Sequence, residues 1–337
     1  MLERGYGVMR GLRLRGAFAI LLAAVLAVGI AACGSSSDTT GGTDTSASSS
    51  DSDNLIQSNP DNGKTTLTIG SKNFTEEYIL GEIYAQGLEA AGYNVKTKLN
   101  LGSEQIALKA IKDGQISGYP EYTSTALGSL YGVPADQIPA NAEEAYAQAK
   151  AKLAKDDVTA FSPTPFADSN AVGLLTSTAE KNNLTDISDL KGVSQDMVLA
   201  GSPECRERID CLVGLEKNYG LQFKKFTPVD IGLRYTVLDK GDADLSIVFT
   251  SDAQLANSEK YTVLKDDKEL IPSGNVIFIA SKKVAEDAGP DFRDTIEQVQ
   301  GNLTLPVIRE LNSRVDIDKE KPADVAHDYL QQSGYIK

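Results

Sequence analysis

The chain has 337 residues, with 33 Lys+Arg against 47 Asp+Glu, a formal net charge of −14, one histidine, three cysteines and no tryptophan. This acidic balance argues against nucleic acid as a partner, because a phosphate backbone is held by clustered cations. The sequence also has no Gly-rich phosphate loop, nucleophile-elbow serine or metal-ligand cluster, so it carries no catalytic constellation, metal site or cofactor motif.

Arg10, Arg13 and Arg15 precede an apolar run from Ala17 to Ile30, the length of a signal-peptide core and short for a membrane span. The run ends in Ile30-Ala31-Ala32-Cys33, and the whole resembles a bacterial lipoprotein signal. The resemblance implies that residues 1–32 are removed, that Cys33 carries lipid, and that the mature chain is anchored on the outer face of the cell membrane. An ordinary transmembrane anchor is the alternative, which the small residues 31 and 32 suit poorly. Gly34 to Asn59 is almost entirely Ser, Thr, Asp, Gly and Ala, too polar to offset the cost of ordering a chain. Residues 33–63 are therefore expected to form a flexible tether.

With Cys33 assigned to lipid, Cys205 and Cys211 remain as a pair in an oxidising compartment and read as a disulfide. The short loop between them gives roughly 2.4 kcal/mol in the chain-entropy picture. A metal site is the alternative, but two thiols without a neighbouring histidine or third cysteine make a poor zinc site.

From Thr65 the chain alternates strand-like and helix-like segments. Strand 66–70, helix 76–91, strand 94–100, helix 103–112 and strand 116–119 open an α/β unit, and their rhythm predicts a mainly parallel sheet. A helix over 143–155 precedes the proline-rich stretch 161–166, read as a stiff crossing out of the first lobe. Strand 172–176, helices near 187–190 and 213–219, strand 223–226, helix 233–240 and strand 243–249 repeat the pattern. Strand 275–280 and helices 291–300, 305–314 and 322–332 follow, the last carrying His327 as a surface or helix-packing residue. Crossings near 166 and 272 divide the folded part into one lobe of 64–166 with 273–337 and a second lobe of 167–272.

Gly70-Ser71-Lys72-Asn73-Phe74-Thr75-Glu76-Glu77 joins the first strand to the first helix and offers backbone N–H groups and a lysine to an anion. Together with Tyr119-Pro120-Glu121-Tyr122-Thr123-Ser124-Thr125 and Glu207-Arg208-Ile209-Asp210, it resembles the osmoprotectant (glycine betaine/choline-type) substrate-binding proteins of ABC importers. The likeness runs from Lys64 to the C-terminus. It implies the type II periplasmic-binding fold, two α/β lobes with a ligand cleft between them and two hinge crossings. It also implies delivery of a small zwitterion to a membrane permease driven by a cytoplasmic ATPase, with no chemistry done on the ligand.

Position by position, the resemblance implies that Lys72, Thr125 and Arg208 hold the ligand's carboxylate, which two cations and a hydroxyl suit physically. It places Tyr122 and Phe249 as π-faces around the quaternary ammonium, with Asp168 as an acidic neighbour. Two further positions of the aromatic box fall near Asn170 and Gly274, which have no π-face, so Tyr119, Tyr235 or Tyr131 would have to complete it. The cysteine pair departs from the family, which usually carries an aromatic and a glycine there. Alternatives are a different zwitterion such as carnitine or ergothioneine, able to hydrogen-bond Asn170 and Asp168; an exported enzyme on the same two-lobe fold, as porphobilinogen deaminase permits; and a structural envelope lipoprotein.

Overall fold

The computed structural model describes residues 54–337. The signal segment 1–32, Cys33 and the tether up to residue 53 lie outside the described residues.

The first half contains β1 (Thr66–Gly70), α1 (Thr75–Ala90), β2 (Asn94–Lys98), α2 (Glu104–Lys112), β3 (Gly118–Tyr122), α3 (Thr123–Thr125), α4 (Ala142–Leu153) and β4 (Val158–Asp168). The second contains β5 (Asn170–Leu175), α5 (Thr176–Asn182), β6 (Val198–Gly201), α6 (Leu212–Asn218), β7 (Lys225–Pro228), α7 (Arg234–Asp239), β8 (Leu245–Phe249) and β9 (Tyr261–Val263). The chain then returns to the first half with β10 (Gly274–Ser281), α8 (Lys282–Asp287), α9 (Pro290–Gln300), α10 (Leu305–Asp316) and α11 (Pro322–Gln332).

Two five-stranded sheets result, ordered β2-β1-β3-β10-β4 and β7-β6-β8-β5-β9. Each has the same pattern. β1 is parallel to β2 and β3, whereas β10 runs antiparallel to β3 and β4. In the other sheet β6 is parallel to β7 and β8, whereas β5 runs antiparallel to β8 and β9. The sheets are thus mixed rather than mainly parallel: the alternating strand–helix rhythm sets the parallel pairs, but β10 and β5 arrive from the opposite half and are free of the crossover rule.

β10 is buried on both faces because its side chains alternate. Val276 and Phe278 join one core with Ile79, Ile83, Phe292 and Leu330, while Ile277 and Ile279 join another with Ala107, Ile111, Leu127 and Leu153. α1 and α9–α11 therefore cover one face of this sheet, and α2 and α4 the other. A separate core forms around Val172, Leu199, Leu215 and Leu245 in the second half.

The proline stretch 161–166 is not the crossing. It lies inside β4, an edge strand paired only with β10, whose register shifts twice. An edge with irregular pairing is where a strand tolerates proline. The chain passes between sheets at Ser169 and returns between β9 and β10.

The expected tether also ends earlier than residue 63. Ile56 is buried in the first core and its N–H donates to the Tyr335 carbonyl at 3.0 Å. Pro60–Lys64 forms a 3₁₀ turn capped by Asn59, and Asn62 donates to the Ala91 carbonyl and to Asp291. Polar composition hides this, because the Asn-rich turn is held by side-chain hydrogen bonds rather than by apolar bulk.

Candidate functional site

The loops that leave the C-terminal ends of β1, β3, β4, β6 and β8 converge on one cavity of about 880 Å³ including its mouth. That is where open α/β sheets offer backbone groups and helix starts to a ligand. Lys72, Tyr122, Thr125, Asp168, Asn170, Arg208 and Phe249 all line it, as do Phe74, Ser124, Arg234 and both Cys205 and Cys211.

The cations are not free. Lys72, whose side chain is 5% exposed, is ion-paired with Glu121 and lies 3.5 Å from Glu77. Glu77 also accepts the Lys72 backbone N–H, and Glu121 accepts from the Tyr119 hydroxyl at 2.8 Å. Burial alone would pull the Lys72 pKa down, but Glu121 and Glu77 outweigh it and hold it above the usual lysine value. Burial pushes Glu77 up to about 8 even with Lys72 beside it. Glu76 adds a further buried acid, accepting from the Tyr122 hydroxyl and from Asn312.

Arg208 follows the 3₁₀ turn Pro203–Arg206 on the loop closed by the Cys205–Cys211 bond, whose Cα atoms are 5.2 Å apart. Its Nε donates to Asp210 at 2.8 Å, its Nη2 to the other Asp210 oxygen, and its Nη1 to Glu104 of the first half at 3.3 Å. Asn170 turns its amide onto Asp210 as well, at 3.1 and 3.2 Å.

Three rings cluster at the cavity. Phe74 stacks 6.3 Å from Tyr122 and lies 5.1 Å from Phe249. Protein cations already sit over all three rings: the Lys72 ammonium is 4.5 Å from the centre of Tyr122 and 5.8 Å from that of Phe74, and the Arg234 guanidinium is 4.8 Å from that of Phe249. Arg234 is anchored by a bidentate pair with Asp252. Asp168, at the end of β4, accepts from the Thr250 hydroxyl at 2.6 Å and the Ser251 N–H at 2.8 Å. Burial, with Glu76 nearby, pushes its pKa up to about 7.

Sequence reasoning missed Phe74 and Arg234. Phe74 was visible within the Gly70–Glu77 motif, whereas nothing local marks Arg234. None of Tyr119, Tyr235 and Tyr131 lines the cavity. Tyr119 is bound to Glu121, Tyr235 to Asp252 and Tyr131 to Asp156. Gly274 is not an empty corner of the box: a Cβ there would meet Ser124 Oγ at 2.3 Å and its backbone nitrogen at 2.6 Å. The start of the helical segment after β3 fills the space. Ser124 and Thr125 are both buried there, and among the described residues neither hydroxyl has a hydrogen-bond partner.

Two mixed sheets joined at two crossings, with a cavity lined by paired charges between them, define a solute receptor of the type II periplasmic-binding fold. Residues 65–332 match the family of the substrate binding domain of ABC-type glycine betaine transport systems, and the chain belongs to that family. It is the extracytoplasmic substrate-binding protein of an ABC importer; the family comprises transport receptors, not enzymes. The chain is 32% identical over 278 residues to a glycine-betaine-binding protein of Pseudomonas aeruginosa, covering 79% of this chain and 88% of that one. It is 27% identical to an ergothioneine transport permease/binding protein of Helicobacter pylori, covering 80% of this chain and 48% of that longer protein. A crystal structure of a glycine betaine/carnitine/choline ABC transporter component superposes with a TM-score of 0.62 at 25% identity, covering 80% of this chain and all of that one. The family, fold class and transport role expected from the sequence are met.

Proposed function

We propose that the cavity takes a small quaternary-amine osmoprotectant, a zwitterion such as glycine betaine or carnitine or the cation choline, and that the protein delivers it to a membrane permease and its ATPase. The observation that carries this reading is the meeting of Lys72, Tyr122, Thr125, Asp168, Asn170, Arg208 and Phe249, from separate segments, around one cavity between the sheets. The lobes of the trap correspond to the two sheets, with crossings at Ser169 and between Val263 and Gly274. Thr125 and Ser124 offer unpartnered hydroxyls to the carboxylate, with Lys72 and Arg208 supplying field from already paired positions. Tyr122, Phe249 and Phe74 supply π-faces, and Asp168 a charge, to the ammonium.

Lipidation at Cys33 would keep this receptor beside its permease on the outer face. No helix among the described residues is long and apolar enough to cross a membrane. A second reading, ergothioneine as the solute, is favoured by one feature: Ser124, Thr125 and Asn170 present more hydrogen-bonding groups than a trimethylammonium and one carboxylate require.

A thermal-shift panel of glycine betaine, choline, carnitine and ergothioneine tests the reading, because a solute that binds only the folded state raises the melting temperature. At least one is expected to do so. Four flat responses at millimolar solute would contradict it.

A further inference from the structure

The loop Cys205–Cys211 is where the two halves meet by a charge. Within the loop, Asp210 takes two of Arg208's donors, which orients the guanidinium and leaves Nη1 to reach across to Glu104. Glu104 is the first residue of α2, its side chain is 7% exposed, and it also accepts the Ser129 hydroxyl. Burial would raise its pKa, yet Arg208 and Ser129 hold it below the usual carboxylate value.

This pair also separates two hollows. The solute cavity lies on one side, and on the other is a groove between the halves lined by Ser129, Val133, Asp136 and Lys217. Glu104, Glu204, Arg208 and Asp210 line both. Opening the cleft must therefore part Arg208 from Glu104 and leave each to be rehydrated.

We propose that Cys205, Cys211 and Glu104 are positioning residues for Arg208, and that together they form a latch holding the cleft shut over the bound solute. An arginine on an open loop would lose much side-chain freedom in reaching a partner on another lobe. Here the disulfide and Asp210 order it beforehand, so the contact with Glu104 costs little extra ordering. This inference rests on the reading that the cavity holds the solute, but the latch itself has a solute-free consequence.

The test uses the whole folded protein with glycine betaine as probe, in Glu104→Gln, in Cys205→Ser/Cys211→Ser, and in the two combined. Stopped-flow dissociation is expected to speed up by about tenfold in each variant. The combined variant should be no faster than either parent, because both act through one contact. Unchanged dissociation in Glu104→Gln, or fully additive effects, overturns the latch. Small-angle scattering of the solute-free proteins is the independent arm: a larger radius of gyration in Glu104→Gln supports the latch, and an identical one overturns it. If wild type fails to bind glycine betaine, that probe is lost while scattering still decides. Should the cysteine variant fail to fold, Glu104→Gln carries both arms.

Discussion

The Lys72 ammonium, which lines the cavity, rests on the Glu121 carboxylate with both side chains at most 5% exposed. The contact ties the loop after β1 to β3, and Glu121 further accepts the Tyr119 hydroxyl and the Tyr122 N–H. A buried charge persists only when it is paired and hydrogen-bonded. Lys72 is thus a structural cation as much as a ligand contact.

Lys72→Met is accordingly expected to lower stability by about 3–5 kcal/mol, the usual cost of stripping one partner from a buried pair. Glu77 and Glu121 would be left without their cation. Adding Glu121→Gln should recover part of the loss. Urea unfolding measures both, and a loss below about 0.5 kcal/mol for Lys72→Met, the level of an ordinary surface change, would show that the pair is not formed.

Asp168 gives a pH dependence with a definite sign. Its pKa in the fold is about 7, against the usual 3.8. The folded state therefore keeps a proton that the unfolded chain has released, so this group's contribution to stability is full below about pH 4, declines as pH rises towards 7, and is constant above. A cationic solute beside Asp168 favours the ionised form. Affinity for glycine betaine should then rise between pH 5.5 and 7.5 and flatten above, while Asp168→Asn flattens the whole profile. An unchanged pH profile in Asp168→Asn would remove Asp168 from the site.

At Gly274 the space for a side chain is already taken. Gly274→Ala would drive a methyl into the Ser124 backbone nitrogen as well as its hydroxyl, costing about 1–3 kcal/mol as overpacking does. Ser124→Ala should not rescue it, since the nitrogen remains. Thermal unfolding of the single and double variants checks this; full rescue would mean that only the hydroxyl was in the way.

Cys33 and the cysteine pair are tested by chemistry. Cys33→Ser is expected to release the protein from the membrane fraction or stall its processing. Alkylation of native protein without reductant should label neither Cys205 nor Cys211, and labelling of both would refute the bond.

Much of the first half was legible because its elements are long and regular. β1, α1 and α11 have clear alternation or helical spacing, and the structure ends them within a residue or so of the expectation. β6 and β9 were missed because strands of four and three residues carry too little pattern. The lining of the candidate cavity was legible where a motif held it, as at Lys72, Tyr122 and Thr125. It was not legible where the meaning of a residue depends on a distant partner. Glu104 reads from sequence as an ordinary acid in a helix's first turn, and only the fold brings Arg208 to it. Likewise Gly274 reads as a missing aromatic, and only the packing of Ser124 shows that no aromatic fits.

The most direct test of the central claim is titration calorimetry of glycine betaine, carnitine, choline and ergothioneine into wild type and Phe249→Ala. The account predicts one-site binding of at least one zwitterion, weaker binding of choline, which lacks the carboxylate, and a loss of roughly 2- to 30-fold in Phe249→Ala as one π-face is removed. Binding of none of the four, or zwitterion binding that is identical in wild type and Phe249→Ala, would contradict it.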